Sequence, residues 1–196
     1  MERNANVGIG PLAAGWRRDL TIVIAGLAIF VLHAAILSWM GQPAINPDGN
    51  IDVWGDLAHS RHILDWYTPS HIVHGFLFYG ALWVVARGWT VDQRGIAALV
   101  IETAWEVIEN TPWVINRYRD VTVSGDYVGD TVINSVFDLW AMLVGFWLAS
   151  RLPIWLTVAL AIALELGALI AVRDNLTLNI LMLFYPVEAI RVWQAG

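Results

Sequence analysis

The stretch LTIVIAGLAIFVLHAAILSWM, residues Leu20–Met40, decides the fold class of this chain. Its only ionisable side chain is His33, and a helix needs about 20 mostly apolar residues to cross the hydrocarbon core of a bilayer. The stretch is also longer than the apolar core of a signal peptide, which has about 7–15 residues. It therefore predicts an uncleaved membrane-spanning helix.

The composition of the whole chain agrees with a membrane protein. Of its 196 residues, 58% are hydrophobic and 14% are charged, whereas soluble domains carry about 25% charged residues. The absence of cysteine excludes disulfides, thiolate metal sites and a cysteine nucleophile. All 11 basic residues are arginine, which excludes a Schiff-base lysine. A net charge of -6 without basic runs argues against a nucleic-acid partner.

Five further apolar stretches follow the first. Together they predict an all-α polytopic membrane protein, a compact bundle of six transmembrane helices that forms a single domain over residues 1–196. Thr68 and Pro69 are typical of a helix start. A long outer loop, residues 41–69, separates the first two helices. The five further predicted spans are Ser70–Ala86, Gly95–Ile115, Tyr127–Ala149, Pro153–Val172 and Leu176–Ala189.

The arginines predict the orientation in the membrane. With the N-terminus in the cytoplasm, the inner segments hold seven arginines and the outer segments hold four. The positive-inside rule then places both termini in the cytoplasm of a bacterial inner membrane. The inner arginines are Arg3, Arg17, Arg18, Arg87, Arg94, Arg151 and Arg191, and the outer ones are Arg61, Arg117, Arg119 and Arg173.

Polar residues of three predicted spans fall at matching depths, roughly 5–16 Å below the outer surface at 1.5 Å per residue. Their helical spacing puts each set on one face, so we expect them to meet in one cavity that opens to the periplasmic leaflet. A charged carboxylate in the membrane centre costs about 2.5–3.5 kcal/mol on insertion scales, and such groups usually mark function. The sets are His71 and His74, then Glu102, Glu106 and Glu109, then Asp130, Asn134 and Asp138.

Imidazole and carboxylate groups from neighbouring helices are typical of metal sites built inside helix bundles. This ligand mixture favours one divalent transition metal such as Zn²⁺ or Mn²⁺. We expect it to activate water for a hydrolase or transferase that acts on a lipid or lipid-linked headgroup. The predicted metal ligands are His71, His74, Glu106 and Asp130. The predicted acid/base residues are Glu102, Glu109 and Asp138, and the predicted substrate-binding residues are Arg117, Tyr118, Arg119 and Asn134.

Simpler interpretations remain for several of these residues. His71 and His74 lie near the membrane interface, where histidine is tolerated, and Glu109 has Arg117 or Arg119 as a candidate ion-pair partner. Asp126 is best interpreted as the N-cap of the fourth helix. The acidic cavity is also compatible with a proton- or cation-coupled small transporter, or with a non-catalytic lipid-binding or assembly subunit whose acids join helices.

These motifs are similar to those of a multi-pass inner-membrane family of unknown function, carried mainly by proteobacteria and distantly VanZ-like. The resemblance extends over roughly residues 20–190. It implies a multi-pass inner-membrane protein and assigns no reaction. The residues that carry it are His71-x-x-His74-Gly75, Glu102-x-x-x-Glu106-x-x-Glu109-Asn110, Tyr118-Arg119, and Ser124-Gly-Asp126-Tyr-x-Gly-Asp130-x-x-x-Asn134-Ser135-x-x-Asp138.

Overall fold

A computed structural model describes residues 11–55 and 60–196, and this part of the chain is helical without a strand. An isolated β-bridge joins the backbones of Trp54 and Leu64. The prediction of an all-α protein is therefore confirmed. The eight helices of the described residues are α1 (Pro11–Met40), α2 (Thr68–Val85), α3 (Val91–Glu109), α4 (Pro112–Val121), α5 (Val132–Arg151), α6 (Ile154–Val172), α7 (Leu176–Phe184) and α8 (Glu188–Ala195).

Three of the described helices, rather than the six predicted, are long and apolar enough to cross a membrane. They contain the segments Asp19–Met40, Val132–Arg151 and Ile154–Val172. The polar first turn and two histidines of α2 lower its mean hydropathy, and α3 carries three glutamates. The arginine count assumed six crossings, and Arg3 lies outside the described residues. The orientation of the termini therefore stays a prediction.

Two of the predicted spans are each divided into two helices near a proline. The stretch 95–115 contains the end of α3 and the start of α4, where Pro112 occupies the first turn and the Thr111 side chain accepts from Val114 N. Pro186 separates α7 from α8. Proline has no N–H to donate and its ring clashes with the preceding turn. With nine residues, α7 is about 14 Å long, too short for a hydrocarbon core of about 30 Å.

The fourth predicted span begins later than expected, at Val132 instead of Tyr127. Thr131, not Asp126, is its N-cap, and its side chain accepts from Asn134 N at 3.3 Å. The next two backbone N–H groups donate to the loop after α1, from Val132 to the Pro43 carbonyl and from Ile133 to that of Ala44. This loop fixes the start of α5 because helical N-termini leave their first N–H groups unpaired.

The outward faces of α1 and α6 are apolar. Leu27 and Val31 on α1 are 58% and 69% exposed, and Ile170 on α6 is 82% exposed. Such surfaces are typical of helices that contact lipid. Both helices pack on the inner ones, α1 against α3 and α5 and α6 mainly against α2.

The closest packing joins α2 to α5. A Cβ at Gly75 would lie 2.1 Å from the Met142 carbonyl oxygen, and a Cβ at Gly145 would lie 2.0 Å from that of Ile72. The two backbones therefore touch at a pair of glycines, as in close-packed membrane helices. An apolar core packs against α2 and α5 on the side away from the loop that follows α1. It consists of Leu82, Ala98, Leu99, Leu139, Met142 and Phe146.

Candidate functional site

Two histidines in the first turns of α2 share one glutamate of α3. His71 Nδ1 donates to Glu102 Oε1 at 2.7 Å, and His74 Nδ1 lies 3.0 Å from both Glu102 oxygens. A carboxylate that accepts from Nδ1 fixes the tautomer and leaves the Nε2 lone pair free, which is the arrangement that orients histidines as metal ligands. Neither Nε2 atom forms a hydrogen bond to a described residue.

Glu106 is one turn further along α3 and is incompletely satisfied. Its Oε2 accepts from Ser135 Oγ at 2.5 Å, and His33 Nε2 lies 2.8 Å from the same hydroxyl. Its Oε1 has no hydrogen-bond partner among the described residues, although His71 Nδ1 is 3.3 Å away. A buried oxygen without a partner costs about 1–3 kcal/mol, so the atom requires an explanation.

Asp138 of α5 completes the cluster from the opposite side. Its Oδ1 lies 3.8 Å from His71 Nε2 and accepts a long hydrogen bond, 3.4 Å, from Thr68 Oγ1. Two sets, His71 with His74 and Glu102, and His71 with Glu106 and Asp138, each place their ligand atoms within 4.8 Å of one another. We call these five residues the His–carboxylate cluster. All five are buried, between 0% and 7% exposed.

The His–carboxylate cluster has an excess of acid. It brings three carboxylates to two histidines, and within the described residues no arginine lies within 4.0 Å of these carboxylates. Burying an unpaired charge costs several kcal/mol even after relaxation. The cluster therefore suits a bound cation, which would neutralise several acids at once.

Three residues of the cluster, His71, His74 and Asp138, line a cavity of about 60 Å³. A water molecule needs about 10–15 Å³ on this measure, so roughly four waters or one small polar group fit inside. The cavity is lined by carboxylates, hydroxyls and aromatic rings from the loop before α2 and from α2, α3, α4, α5 and the segment that starts α7. Glu109 and Trp105 also lie on this lining.

Asp130 lies in the loop before α5, apart from both ligand sets. Its Oδ2 accepts from Asn110 Nδ2 at 2.7 Å and its Oδ1 from Tyr127 OH at 3.0 Å, while its N–H donates to Asn110 Oδ1. Burial raises the pKa of Asp130 above its usual range. Gly129 has φ +91, and a Cβ there would lie 2.8 Å from Asn110 Oδ1, so this loop requires glycine.

Of the four residues predicted to bind substrate, Tyr118 lines the cavity and the other three do not. Arg117 Nε donates to the Leu183 carbonyl and Arg119 Nε to the Tyr127 carbonyl, and neither residue lines the cavity. Tyr118 does line it and donates to Asn179. Asn134 donates to the His62 carbonyl at 2.9 Å, in the loop before α2. The headgroup role of these four residues stays a prediction.

Several lining residues were not predicted from the sequence. Tyr67 donates to Asp174 Oδ2 at 3.1 Å across the cavity, although the two residues are far apart in the chain. Burial is the main cause of the raised pKa of Asp174. Ser135, the hydroxyl partner of Glu106, was not predicted as a site residue either. Its position directly after Asn134 in the sequence was the signal that could have indicated it.

Comparison with known proteins shows close relatives along nearly the whole chain. A UPF0314 protein of Rhizobium meliloti (strain 1021) is 49% identical over 184 residues, 92% of this chain and 93% of the relative. UPF0314 proteins of Paracoccus denitrificans (strain Pd 1222) and Brucella anthropi (strain ATCC 49188) are each 47% identical, covering 88% and 95% of this chain and 91% and 95% of their own lengths.

These relatives come from proteobacteria, as the motifs predicted, whereas the distant likeness to VanZ stays a prediction. No solved structure matches the chain. A family model described as "Protein of unknown function (DUF2585)" matches residues 37–196. With this match over most of its length, the chain, three of whose described helices are apolar and of membrane-spanning length, belongs to the DUF2585 family.

Proposed function

We propose that this protein is a metal-dependent hydrolase or transferase of the bacterial inner membrane. It binds one divalent transition metal ion, such as Zn²⁺ or Mn²⁺, in the His–carboxylate cluster and acts on the polar end of a lipid or lipid-linked molecule. In this proposal the N-terminus lies in the cytoplasm and the cavity opens to the periplasmic leaflet.

The observation that carries the metal proposal is the unpartnered Oε1 of Glu106, 3.3 Å from His71 Nδ1 in an arginine-free cluster. His71 belongs to both ligand sets, so an ion held by either set contacts it. Glu102 supports the proposal because it accepts from both Nδ1 atoms and leaves both Nε2 atoms available.

The chemistry proposed for this centre is the activation of water. A divalent ion lowers the pKa of a bound water molecule towards neutrality. Glu106 and Glu109 are the candidate bases, since Glu106 has an oxygen free of protein hydrogen bonds and Glu109 lines the adjoining cavity. The cluster has more carboxylates than histidines, so one carboxylate can act as a base while others bind the ion.

The membrane setting supports a lipid substrate. The cluster lies among helices that include three of membrane-spanning length and apolarity. A cavity of about 60 Å³ admits the polar end of a lipid and not its chains. We therefore propose that the acyl chains stay in the bilayer and that the bond to be cleaved lies in the headgroup region.

The test combines metal content with turnover. Protein purified in detergent and supplied with Zn²⁺ or Mn²⁺ is expected to hold about one ion per chain and to release headgroups from vesicles of phosphatidylethanolamine and phosphatidylglycerol. The double variant His71→Ala/His74→Ala is expected to lose both properties. His62→Ala, which removes a histidine outside the cluster, is the matched control and retains both.

A second variant separates loss of the ion from loss of the fold. Glu102→Gln keeps the volume of the side chain but weakens the bonds that orient both histidines, so we expect a loss of bound metal with little change in the melting temperature. Metal absent from the wild-type protein after repletion would overturn the metal proposal. Metal bound without headgroup release, together with ion uptake into liposomes, would replace the hydrolase by the transporter alternative.

A further inference from the structure

The geometry points to an ammonium-binding subsite among the carboxylates and tyrosines that line the cavity, which makes an amine-bearing headgroup the substrate class. This inference rests on the proposed function for the reaction itself, whereas binding of the amine requires no metal. We call this part of the cavity the ammonium subsite and define it by Glu109, Asp130, Asp174, Tyr118 and Tyr127.

The charge of the lining favours a cation. Four carboxylates line the cavity, those of Glu109, Asp130, Asp138 and Asp174, and no arginine of the described residues lines it. The two arginines of α4 donate to backbone carbonyls through Nε, Arg117 to that of Leu183 and Arg119 to that of Tyr127, and neither residue lines the cavity. An anionic phosphate would therefore meet acids rather than cations here, which is repulsive.

Aromatic rings form the rest of the subsite. Tyr118 and Tyr127 meet edge to face with ring centroids 5.8 Å apart, and Tyr67 and Trp105 also line the cavity. Aromatic faces attract ammonium groups, by about 0.5–1 kcal/mol when exposed and by about 2 kcal/mol when desolvated. The combination of rings and carboxylates is thus suited to an organic cation.

The hydrogen bonds of the tyrosines keep the carboxylates in place as acceptors. Tyr67 donates to Asp174 and Tyr127 donates to Asp130. A carboxylate oxygen accepts more than one hydrogen bond, so both groups retain capacity for a ligand. A primary ammonium carries three donors and matches such a ring of acceptors.

Asp138 provides an independent sign that a ligand belongs in the cavity. It is 4% exposed and lines the cavity, yet its one hydrogen bond within the described residues is the long one from Thr68 Oγ1. No described residue donates to its Oδ2, which leaves this oxygen available to a ligand in the cavity. The cavity volume, about 60 Å³, accommodates an aminoethyl group beside a metal ion.

Calorimetric titration with ethanolamine tests the subsite. The full chain is reconstituted in nanodiscs of phosphatidylglycerol, which has no amine, and titrated with ethanolamine, ethylene glycol or inorganic phosphate. We expect saturable binding of ethanolamine alone. Glu109→Gln and Asp174→Asn are each expected to weaken it at least tenfold, whereas Asp120→Asn, which removes an exposed acid of α4, leaves it unchanged.

The source of the amine is distinguished by changing the lipid. Competition when phosphatidylethanolamine replaces phosphatidylglycerol supports a lipid headgroup, and binding that is independent of the lipid supports a soluble amine at the same subsite. Phosphate binding in preference to ethanolamine, or no saturable ethanolamine binding, overturns the inference. Because metal content is measured separately on the same samples, metal without amine binding refutes the subsite alone, and amine binding without metal refutes the hydrolase alone.

Discussion

The contact between α2 and α5 makes Gly145→Ala a decisive substitution. The added Cβ would lie 2.0 Å from the carbonyl oxygen of Ile72, and carbonyl oxygen, unlike a side chain, cannot rotate away. An ordinary carbon–oxygen contact is about 3.3–3.6 Å, so the helices must separate by about 1.4 Å at this point. Ile72 lies next to His71, and we therefore expect the 3.8 Å separation of His71 Nε2 and Asp138 Oδ1 to increase.

The magnitude follows from two opposing effects. Overpacking a tight contact costs about 1–3 kcal/mol, while replacing a helical glycine by alanine contributes about 0.5–1 kcal/mol of stability. The net loss is roughly 0–2.5 kcal/mol, which lowers the melting temperature by up to about 10 °C for a chain of this size. Bound metal should fall as well, because one of the two ligand sets, His71 with Glu106 and Asp138, includes residues of both α2 and α5.

Intrinsic tryptophan fluorescence during heating, with metal analysis of the same samples, measures both effects. Gly80→Ala is the matched control, since Gly80 lies in α2, the partner helix of this contact, and its added Cβ has no atom within 4 Å. We expect that control to melt at the same temperature as the wild type or slightly higher. If Gly145→Ala and Gly80→Ala behave alike, the backbone contact does not position the cluster.

Two further predictions concern α7 and the loop before it. Glu165 accepts hydrogen bonds from Leu176 N at 3.1 Å and from Thr177 N at 3.0 Å. Glu165→Ala should therefore destabilise the start of α7 by about 1 kcal/mol and speed amide hydrogen exchange there. Glu188→Ala, at an exposed site, should leave both unchanged. Burial raises the folded-state pKa of Asp174, which favours folding while the carboxyl is protonated and opposes it as pH rises through that pKa. The melting temperature of Asp174→Asn minus that of the wild type should therefore be larger at pH 8 than at pH 5. A difference that is independent of pH would contradict this.

The sequence was sufficient for the helical class and for the faces that meet in the His–carboxylate cluster. A long apolar run and spacings of three and four residues are local properties, and they place His71 and His74 on one face and Glu102 and Glu106 on another. The predicted number of membrane crossings was wrong in part because polar residues lower the mean hydropathy of α2 and α3. Such an average overlooks a single proline that ends a helix, as at Pro112 and Pro186.

Features that depend on distant segments could not be predicted in this way. Asp126 and Thr131 are both acceptable N-caps for α5, and the choice depends on carbonyl groups of Pro43 and Ala44. The bonds of Arg119 to a backbone carbonyl and of Tyr67 to Asp174 likewise join segments that no local pattern relates. These contacts decide which groups reach the cavity and which do not.

The link from His33 through Ser135 to Glu106 has a consequence for biosynthesis. His33 precedes its serine partner by 102 residues, and Glu106 precedes the same serine by 29. At about 5–20 residues per second, α1 waits on the order of 5–20 s for its partner on α5. Glu106 waits about 1.5–6 s for the same serine, with its carboxyl group hydrated or protonated. The cluster takes its final form only after the ribosome has completed α5.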